Sequence, residues 1–472
     1  MNWDFSLNNY KTVWAVAVQF GLLLIFLFIG NVIRRKVPFL KKISIPSALI
    51  GGFLLLMVDL LVKLITGNEH SIINTDLMKV ITYHSLAIGF IAMTLKIAKK
   101  DRVVNSKHVV QNGLITGGTY MIQAVTGILV GLIFFWVGKV VFYDTGVLLP
   151  LSFGQGPGNA MTWDINFSNT KFLADLDVDP KFAFDSNGSV GLTLASIGFI
   201  VSAIVGVIYI NIFKKKGLIK ERKANAQREV SEFIDKEELD DNDSVDKMTI
   251  QICLVAIAYA IAFGLMAALS FSKFTNSIAW GFNFIFGVIG ATLVKEACKW
   301  LKKIGFTKHQ YINNYQMDRI SGFAFDMMII AGVATIDIGV ARKYALLIII
   351  LSIVGTIVTY AYVRFMTKIC FKGYEHEMFL TNFGTLTGTA SNGIILLREV
   401  DPNYETDAST VFVLSQLPAM IAVAPLLLLL NMSAKSVTLT LVAGGIFLAL
   451  FIIYTVVLIV LSKHKKVEKK VK

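Results

Sequence analysis

Long apolar segments recur along this chain of 472 residues, and they constrain its fold more than any other feature. Several of them exceed the roughly 18 consecutive apolar residues that indicate a transmembrane helix. With 55% hydrophobic and only 16% charged residues, the chain is also more apolar than most soluble domains. The sequence therefore predicts a membrane protein with several spans. We expect those spans to be helices, because a helix satisfies its own backbone hydrogen bonds in lipid.

Eleven apolar segments are predicted as spans, five in each half of the chain and one at its end. They cover residues 12–32, 44–65, 81–95, 109–137, 190–213, 248–269, 278–297, 319–340, 344–366, 408–430 and 437–461. A charged stretch between the halves has few large apolar residues to bury, so we interpret it as a solvated linker. The predicted organisation is a first repeat at 1–213, a linker at 214–247, a second repeat at 248–431, and an extra helix with a basic tail at 432–472.

Lysine and arginine clusters predict the orientation of the spans, because positive residues mark the cytoplasmic ends of membrane helices. Such clusters occur at 34–42, 96–107, 214–247, 299–308, 364–372 and 463–472. Acidic loops at 69–76 and 175–185 fall on the other side, and Arg342-Lys343 is the exception. The N-terminus is thus predicted outside and the C-terminus in the cytoplasm. Since these loops explain the net charge of +13, we expect no nucleic-acid partner.

A short polar motif occurs once in each half of the chain. The first copy is Phe153-Gly154-Gln155-Gly156-Pro157-Gly158-Asn159-Ala160, and the second is Phe383-Gly384-Thr385-Leu386-Thr387-Gly388-Thr389-Ala390. Both read F-G-x-x-x-G-x-A, and they are separated by nearly half of the chain. Each lies between apolar segments, where irregular backbone is tolerated only inside protein or beside a watery cavity. We therefore predict two re-entrant hairpins, at about 147–170 and about 378–399.

Because each half has five full spans, the second half begins on the opposite side of the membrane from the first. The predicted fold is therefore all-α and polytopic, with two inverted repeats of five transmembrane helices, a re-entrant hairpin in each, and an extra C-terminal transmembrane helix. Both hairpin tips are expected to line one substrate cavity near mid-membrane.

Paired broken helices at matching positions are typical of the binding site of a secondary transporter. Glycine permits the turns and close approach that let several N–H groups converge on an anion. Helix N-termini add positive partial charge, and carbonyl groups can bind sodium. Close packing of ordinary helices through these glycines is the alternative. The predicted substrate-binding residues are Gly154, Gln155, Gly156, Gly158, Asn159, Thr385, Thr387, Gly388, Thr389, Ser391, Asn392 and Arg398.

Acidic side chains in the apolar segments are candidates for binding a coupling cation or carrying a proton. Asp326 lies inside the predicted span 319–340, where an ionisable residue is a functional candidate, with a hydrogen-bonded structural role as the alternative. Asp164 has the same ambiguity. Arg398 either pairs with a substrate carboxylate or extends to the membrane interface beside Glu399. The predicted sodium ligands are Asp326, Asn159, Thr162, Asp164 and Thr389.

The sequence contains no phosphate-binding loop, zinc motif or nucleophile elbow. We therefore expect no enzymatic activity and no organic cofactor, with sodium as the coupling ion. The closest rival function is a cation/proton antiporter with Asp326 as the proton carrier. A passive channel or a signalling module is a more distant alternative.

The chain resembles the bacterial sodium/glutamate symporters. Phe39-Leu40-Lys41-Lys42-Ile43-Ser44-Ile45-Pro46, followed by Gly51-Gly52, is similar to an early signature of that family. Residues 152–160 and 384–392 resemble its two glycine-rich hairpins, and the similarity covers nearly all of 10–431. The resemblance implies sodium-coupled uptake of glutamate or a related small organic anion across the bacterial cytoplasmic membrane. It also implies a homodimer in which a scaffold domain holds a transport domain that moves by an elevator-type motion.

Overall fold

The computed structural model describes residues 10–38, 40, 45–67, 71–97, 105–138, 141–219, 246–270, 280, 283–306, 311–401 and 405–463. The side chains of residues 10–13 and of Ser391 are outside this description. The described residues form 18 α-helices and two short 3-10 helices, and no β-strand occurs among them. The predicted all-α class is therefore confirmed. Most of the predicted linker, at 220–245, lies outside the described residues.

The α-helices are numbered here in chain order. They are α1 Tyr10–Lys36, α2 Ser47–Ile65, α3 Thr75–Leu95, α4 Ser106–Gly138, α5 Leu148–Phe153, α6 Pro157–Ser168, α7 Thr170–Asp175, α8 Ser189–Lys215, α9 Lys247–Leu269, α10 Asn283–Lys303, α11 Asn314–Ala334, α12 Ile338–Lys343, α13 Ala345–Cys370, α14 Glu375–Thr387, α15 Ala390–Val400, α16 Ala408–Leu414, α17 Gln416–Ser433 and α18 Val437–Lys463. The 3-10 helices are Thr145–Val147 and Pro180–Phe182.

Nine helices in the described ranges are long and apolar enough to cross a membrane, namely α1, α2, α3, α4, α8, α9, α13, α17 and α18. The chain is thus a multi-span membrane protein, as predicted. The predicted spans 278–297 and 319–340 correspond to α10 and α11, which have 21 residues each but are more polar. Helix α11 packs against both α2 and α3, so it does not need an apolar surface on every side. The predicted span 408–430 is divided at Ser415 into α16 and α17.

The first bundle of helices combines the start of the chain with the start of its second half. Helices α1, α2 and α3 pack with α9, α10 and α11. Small residues let these helices approach closely, as is common in membrane proteins. A Cβ added to Gly51 would lie 2.5 Å from the carbonyl oxygen of Phe26 in α1, and one added to Gly52 would lie 2.7 Å from Val333 in α11.

The second bundle contains the remaining long helices and both motifs. Helix α4 has 33 residues, so it is roughly 50 Å long, and it packs along α13, α17 and α18. The short helices α5, α6, α14 and α15 pack against α8. The second bundle therefore surrounds the two polar motifs with apolar helices from both halves of the chain.

The two bundles meet where α6 packs against α3 and α11. A Cβ added to Gly158 would lie 2.9 Å from Leu86 of α3. On the other side, a Cβ added to Gly332 of α11 would lie 3.4 Å from Pro157. The first motif therefore lies at the boundary between the bundles.

Arg342-Lys343, the basic pair that is the exception to the predicted charge distribution, has an acidic neighbour. Lys343 Nζ lies 2.9 Å from Asp185 Oδ2, in the acidic stretch that is predicted to be outside. Both side chains are exposed, so the pair contributes little stability. The ion pair nevertheless gives a local reason for a lysine on the side of the membrane that is predicted to be outside.

Candidate functional site

The first motif is a break between two helices. Helix α5 ends at Phe153, and α6 begins at Pro157, which has the fixed φ favoured at the first position of a helix. Gly156 precedes it with φ of +82°, a conformation that residues with a Cβ rarely adopt. The chain therefore turns sharply here because of one glycine and one proline.

The second motif is a shorter break. Helix α14 ends at Thr387 and α15 begins at Ala390, so only Gly388 and Thr389 connect them. A Cβ added to Gly388 would lie 2.5 Å from Nδ2 of Asn392, so glycine at this position lets the asparagine side chain fold over the turn.

The two breaks touch each other, and we call this place the junction of Gly156, Gly388 and Thr389. A Cβ added to Gly156 would lie 3.0 Å from Thr389 Cγ2 and 3.9 Å from the carbonyl oxygen of Gly388. It would also lie 3.7 Å from Cε of Met328, which belongs to α11 of the first bundle. Segments from the two halves of the sequence are thus brought together, as the duplicated motif predicts.

When the starts of α6 and α15 are compared, their residues align differently from the residues of the sequence motif. Gly156 and Thr389 are the N-cap residues of α6 and α15. When the two helices are aligned on these N-caps, Asn159 corresponds to Asn392, and each is the third residue of its helix. The alignment of the motif letters instead paired Asn159 with Thr389. The structure therefore identifies two equivalent asparagines that the sequence comparison did not align.

Buried polar atoms without a partner gather at the junction. Asn159 and Asn392 are each 1% exposed and Thr389 is 5% exposed. Within the described residues, Oδ1 of Asn159, Oγ1 of Thr389, and both Oδ1 and Nδ2 of Asn392 have no hydrogen-bond partner. Leaving such a group unpaired costs about 1–3 kcal/mol, so unpaired groups in a native protein require an explanation. A bound polar or charged ligand is one.

The helix ends give the junction a positive partial charge. Helices α6 and α15 have 12 and 11 residues; Gly156 has no side chain to cap α6, and the Thr389 side chain accepts no hydrogen bond from the described part of α15. The N-terminus of a helix carries roughly half a positive charge on its free N–H groups. Two such ends at one place favour an anion.

Neighbouring side chains fix the first break in position. Asn159 donates to Oε1 of Gln155, and Tyr120 of α4 hydrogen-bonds to Gln155. The same tyrosine ring lies against Gly154, where a Cβ would be within 2.6 Å of its hydroxyl oxygen. Gln155 therefore holds Asn159 with the amide oxygen left free.

The second break is supported in a similar way. Gln123 Nε2 donates to Oγ1 of Thr359 at 2.7 Å and to the carbonyl oxygen of Leu386 at 3.0 Å. The carbonyl oxygen of Thr387 lies directly against Gly198 of α8. Helices α4 and α8 thus fix the end of α14.

The three threonine hydroxyls beside the breaks are used within their own helices. Thr162 donates to the carbonyl oxygen of Gly158, Thr385 to that of Thr381, and Thr387 to that of Phe383, all at 2.7–2.8 Å. Such a hydroxyl keeps its lone pairs, so it can still accept a hydrogen bond or bind a cation, but it cannot donate to a substrate.

Asp164 is placed away from the junction. Its carboxylate accepts hydrogen bonds from the Ser186 hydroxyl and from the Gly191 backbone N–H, the latter at 2.8 Å. Gly191 is in the first turn of α8, where a negative charge stabilises the helix. The structure therefore gives Asp164 the role of anchoring the start of α8.

Asp326 faces the first helix of the chain. It is half-buried, and Arg34 at the end of α1 is near enough to interact with it electrostatically. Met328, two residues later, contacts the junction. Two residues correspond to about 200° around a helix, so Asp326 is on the opposite side of α11.

Arg398 and Ser391 were also predicted to bind substrate. Neither has a described side chain at the junction. Arg398 is exposed and follows Thr389 by nine residues, which places it about 14 Å along α15. The side chain of Ser391 lies outside the described residues. Thus Gly156, Gly388, Thr389, Asn159 and Asn392 form the candidate site, with Gln155 behind it.

No group of three or more His, Cys, Asp or Glu side chains that could hold a metal occurs in the described ranges. A sodium ion needs only oxygen ligands such as carbonyls, amides and hydroxyls. Oδ1 of Asn159 and Oγ1 of Thr389 are such atoms, and both belonged to the predicted sodium ligands.

Sequence reasoning missed the residues that support the site from other helices. Tyr120, Gln123, Leu86 and Met328 lie in apolar segments and carry no motif. A glutamine in the middle of α4 was the one available signal, because polar residues within an apolar span require partners.

No protein-family model matches this chain, and a search of curated proteins finds no match. The geometry of the junction is therefore the basis for the functional argument.

Proposed function

We propose that this protein is a secondary active transporter that couples sodium entry to symport of glutamate or a related small organic anion. The observation that carries the proposal is the contact between Gly156 and Thr389, which brings two broken helices and their N-termini together. Broken helices that meet inside a membrane protein are the usual binding site of such transporters. We also propose a homodimer in the bacterial cytoplasmic membrane, with the N-terminus outside.

The chemistry of the junction supports an anionic substrate. The N-termini of α6 and α15 favour negative charge. Asn392 offers an amide donor and an amide acceptor, and neither has a partner within the described part of the chain. A carboxylate can accept from the backbone N–H groups and from Nδ2 of Asn392. The acceptor atoms Asn159 Oδ1 and Asn392 Oδ1 suit an ammonium group or sodium. Together these groups fit an amino acid with an extra carboxylate.

The division into two bundles supports an elevator-type motion of inverted repeats. Each bundle takes equivalent helices from both halves, and the candidate site lies where the bundles meet. Leu86 and Met328 present apolar surface to α6 at this boundary. Apolar contacts have no directional hydrogen bonds, so two such surfaces can slide past one another more easily than polar surfaces.

The alternative is a cation/proton antiporter with Asp326 as the proton carrier. Asp326 lies on the side of α11 opposite Met328, towards Arg34. A proton carrier at that position would be separated from both breaks. Symport through the junction is therefore the better-supported proposal.

The test is uptake of labelled glutamate into proteoliposomes, with and without an inward sodium gradient. We expect accumulation above equilibrium only with the gradient. Sodium-driven proton flux without any organic substrate would favour the antiporter. If sodium raises the melting temperature but glutamate is not accumulated, the symport proposal fails for glutamate, and other small anions are then screened.

A further inference from the structure

A carboxyl group in the loop ahead of α5 is fully buried, and one of its oxygens has no partner among the described residues. Asp144 lies between α4 and the 3-10 helix Thr145–Val147, ahead of the first broken helix. It is 0% exposed. Its Oδ2 is 2.6 Å from Oγ of Ser433, and in the described part of the chain its Oδ1 has no hydrogen-bond partner.

Among the described residues, no positively charged side chain pairs with Asp144, and Lys139 lies outside that description. Tyr143 and the Ser433 hydroxyl are the groups that interact with Asp144. On the turn between α17 and α18, Lys435 is exposed to solvent. Lys181, near the ring of Phe182 that contacts Tyr143, pairs with Asp179 at 2.6 Å. From α4 the neighbours of this loop are Gly127 and Gly131, which carry no charge.

A protonated carboxyl group allows one more hydrogen bond around Ser433 than an ionised one does. Ser433 Oγ lies within reach of two acceptors, Oδ2 of Asp144 at 2.6 Å and the carbonyl oxygen of Leu430 at 3.0 Å. A hydroxyl has one hydrogen to donate. If Asp144 is protonated, it donates to Ser433, and Ser433 donates to Leu430. If Asp144 is ionised, Ser433 donates to the carboxylate and no longer to Leu430. The buried anion then has the hydrogen bond from Ser433 as its single described one.

We propose that Asp144 is a proton-binding site that is occupied at neutral pH and fastens the loop ahead of α5 to the end of α17. Burial raises the pKa of Asp144 to about 8, although the hydrogen bond with Ser433 acts in the opposite direction. Two neighbouring hydrogen bonds complete the attachment. Tyr143 donates to the carbonyl oxygen of Ala434 at 2.5 Å, and Thr440 donates to that of Ser433 at 2.8 Å. This inference does not depend on the proposed transport function.

Proton binding makes stability depend on pH with a definite sign. The pKa of Asp144 in the folded protein lies above the ordinary value of 3.8, so the folded state binds more protons than the unfolded state between these values. The stabilisation is complete below pH 3.8 and is lost as pH rises to about 8. The unfolding constant therefore rises up to tenfold for each pH unit in this window.

The experiment compares thermal unfolding of the full-length protein and of Asp144→Asn in detergent, from about pH 6 to about pH 9. The asparagine amide can donate to Ser433 as the protonated carboxyl does, so the variant should lack the wild-type fall in melting temperature with rising pH. Asp59→Asn is the matched control. Asp59 is also buried, but it pairs with Lys63 at 2.7 Å and accepts from Ser71, so neutralising it should lower the melting temperature throughout.

Equal pH dependence in the wild type and Asp144→Asn would overturn the proposal. So would a sodium-dependent rise in melting temperature that Asp144→Asn abolishes, because the carboxylate would then be a cation ligand. If the variant does not fold, infrared difference spectroscopy of the wild type decides. We expect the C=O band of a protonated carboxyl to disappear on going from neutral to alkaline pH, and a difference spectrum without this band would show that Asp144 does not release a proton in this range, which contradicts the proposal.

Discussion

Gly156 and Thr389 belong to opposite halves of the chain, yet a Cβ on Gly156 would lie 3.0 Å from the Thr389 methyl group. This contact joins the two broken helices, and it occurs at a glycine with φ of +82°. Both the close approach and the backbone conformation require glycine. A larger residue at position 156 should therefore disturb the candidate site.

Gly156→Ala should abolish sodium-driven uptake and lower stability by about 1–3 kcal/mol, because φ of +82° with ψ of −171° is a conformation that essentially only glycine adopts. Gly217 is the control, since it has φ of +63° and no atom of the described residues lies within 4 Å of its added Cβ. Gly217→Ala should also lose stability, by about 1–2 kcal/mol, and keep uptake. Melting temperatures and proteoliposome uptake measure the two effects. Normal uptake by Gly156→Ala would show that the breaks do not need this contact.

Asn392→Ala should weaken substrate binding without destabilising the protein. Both polar atoms of Asn392 are buried and have no partner among the described residues, so their removal should leave the substrate-free protein unchanged or slightly more stable. Loss of a hydrogen bond to a charged substrate corresponds to about 1.5–3 kcal/mol, or roughly 10-fold to 100-fold in affinity. Calorimetric titration with glutamate and a thermal-shift assay measure the two quantities.

Asn382 offers the comparison for Asn392, because it is equally buried in α14 and donates to Oδ1 of Asn112 at 2.7 Å. Asn382→Ala should cost about 1–2 kcal/mol of stability and leave the glutamate affinity unchanged. If Asn392→Ala instead behaved like Asn382→Ala, the unpaired amide would be structural and not part of a binding site.

Asp164→Ala should reduce stability and leave the sodium dependence of uptake unchanged. Its carboxylate accepts from Ser186 and Gly191 at the start of α8, and removing it leaves those donors unpaired. The expected cost is about 2–4 kcal/mol, because the acceptor is charged and buried. The half-saturating sodium concentration, measured in whatever fraction folds, separates this role from that of a sodium ligand. A large increase in that concentration would restore Asp164 as a ligand.

The sequence could predict the two breaks and their meeting because glycine, proline and duplication are local signals that a single chain displays. Gly156-Pro157 predicts a turn and a helix start whatever surrounds it. The sequence could not predict the register of the two helix starts, because that register depends on the residues at which α6 and α15 begin. For this reason the motif aligned Asn159 with Thr389, whereas the helices pair it with Asn392.

The sequence could not predict the direction in which a buried acidic side chain points. Asp164, Asp326 and Asp144 all lie near or within apolar segments, and position along the chain does not tell which helix each one faces. Asp144 follows a predicted span and belongs to no motif, so the sequence does not mark it as a buried acid. The two residues before it pack against aromatic rings of other elements, Phe142 against Phe167 and Tyr143 against Phe182. Tertiary packing alone creates that environment.

Asp326→Asn tests whether a carboxyl group in α11 takes part in ion coupling. Since Asp326 faces Arg34 and not the junction, we expect sodium-dependent uptake to keep its sodium affinity in this variant. Asn159→Ala is the comparison, because it removes an unpaired oxygen at the junction itself and should raise the half-saturating sodium concentration roughly tenfold or more. Uptake measured over a series of sodium concentrations at fixed glutamate distinguishes them. If Asp326→Asn loses sodium dependence while Asn159→Ala retains it, coupling runs through α11, and the antiporter mechanism becomes the better explanation of this fold.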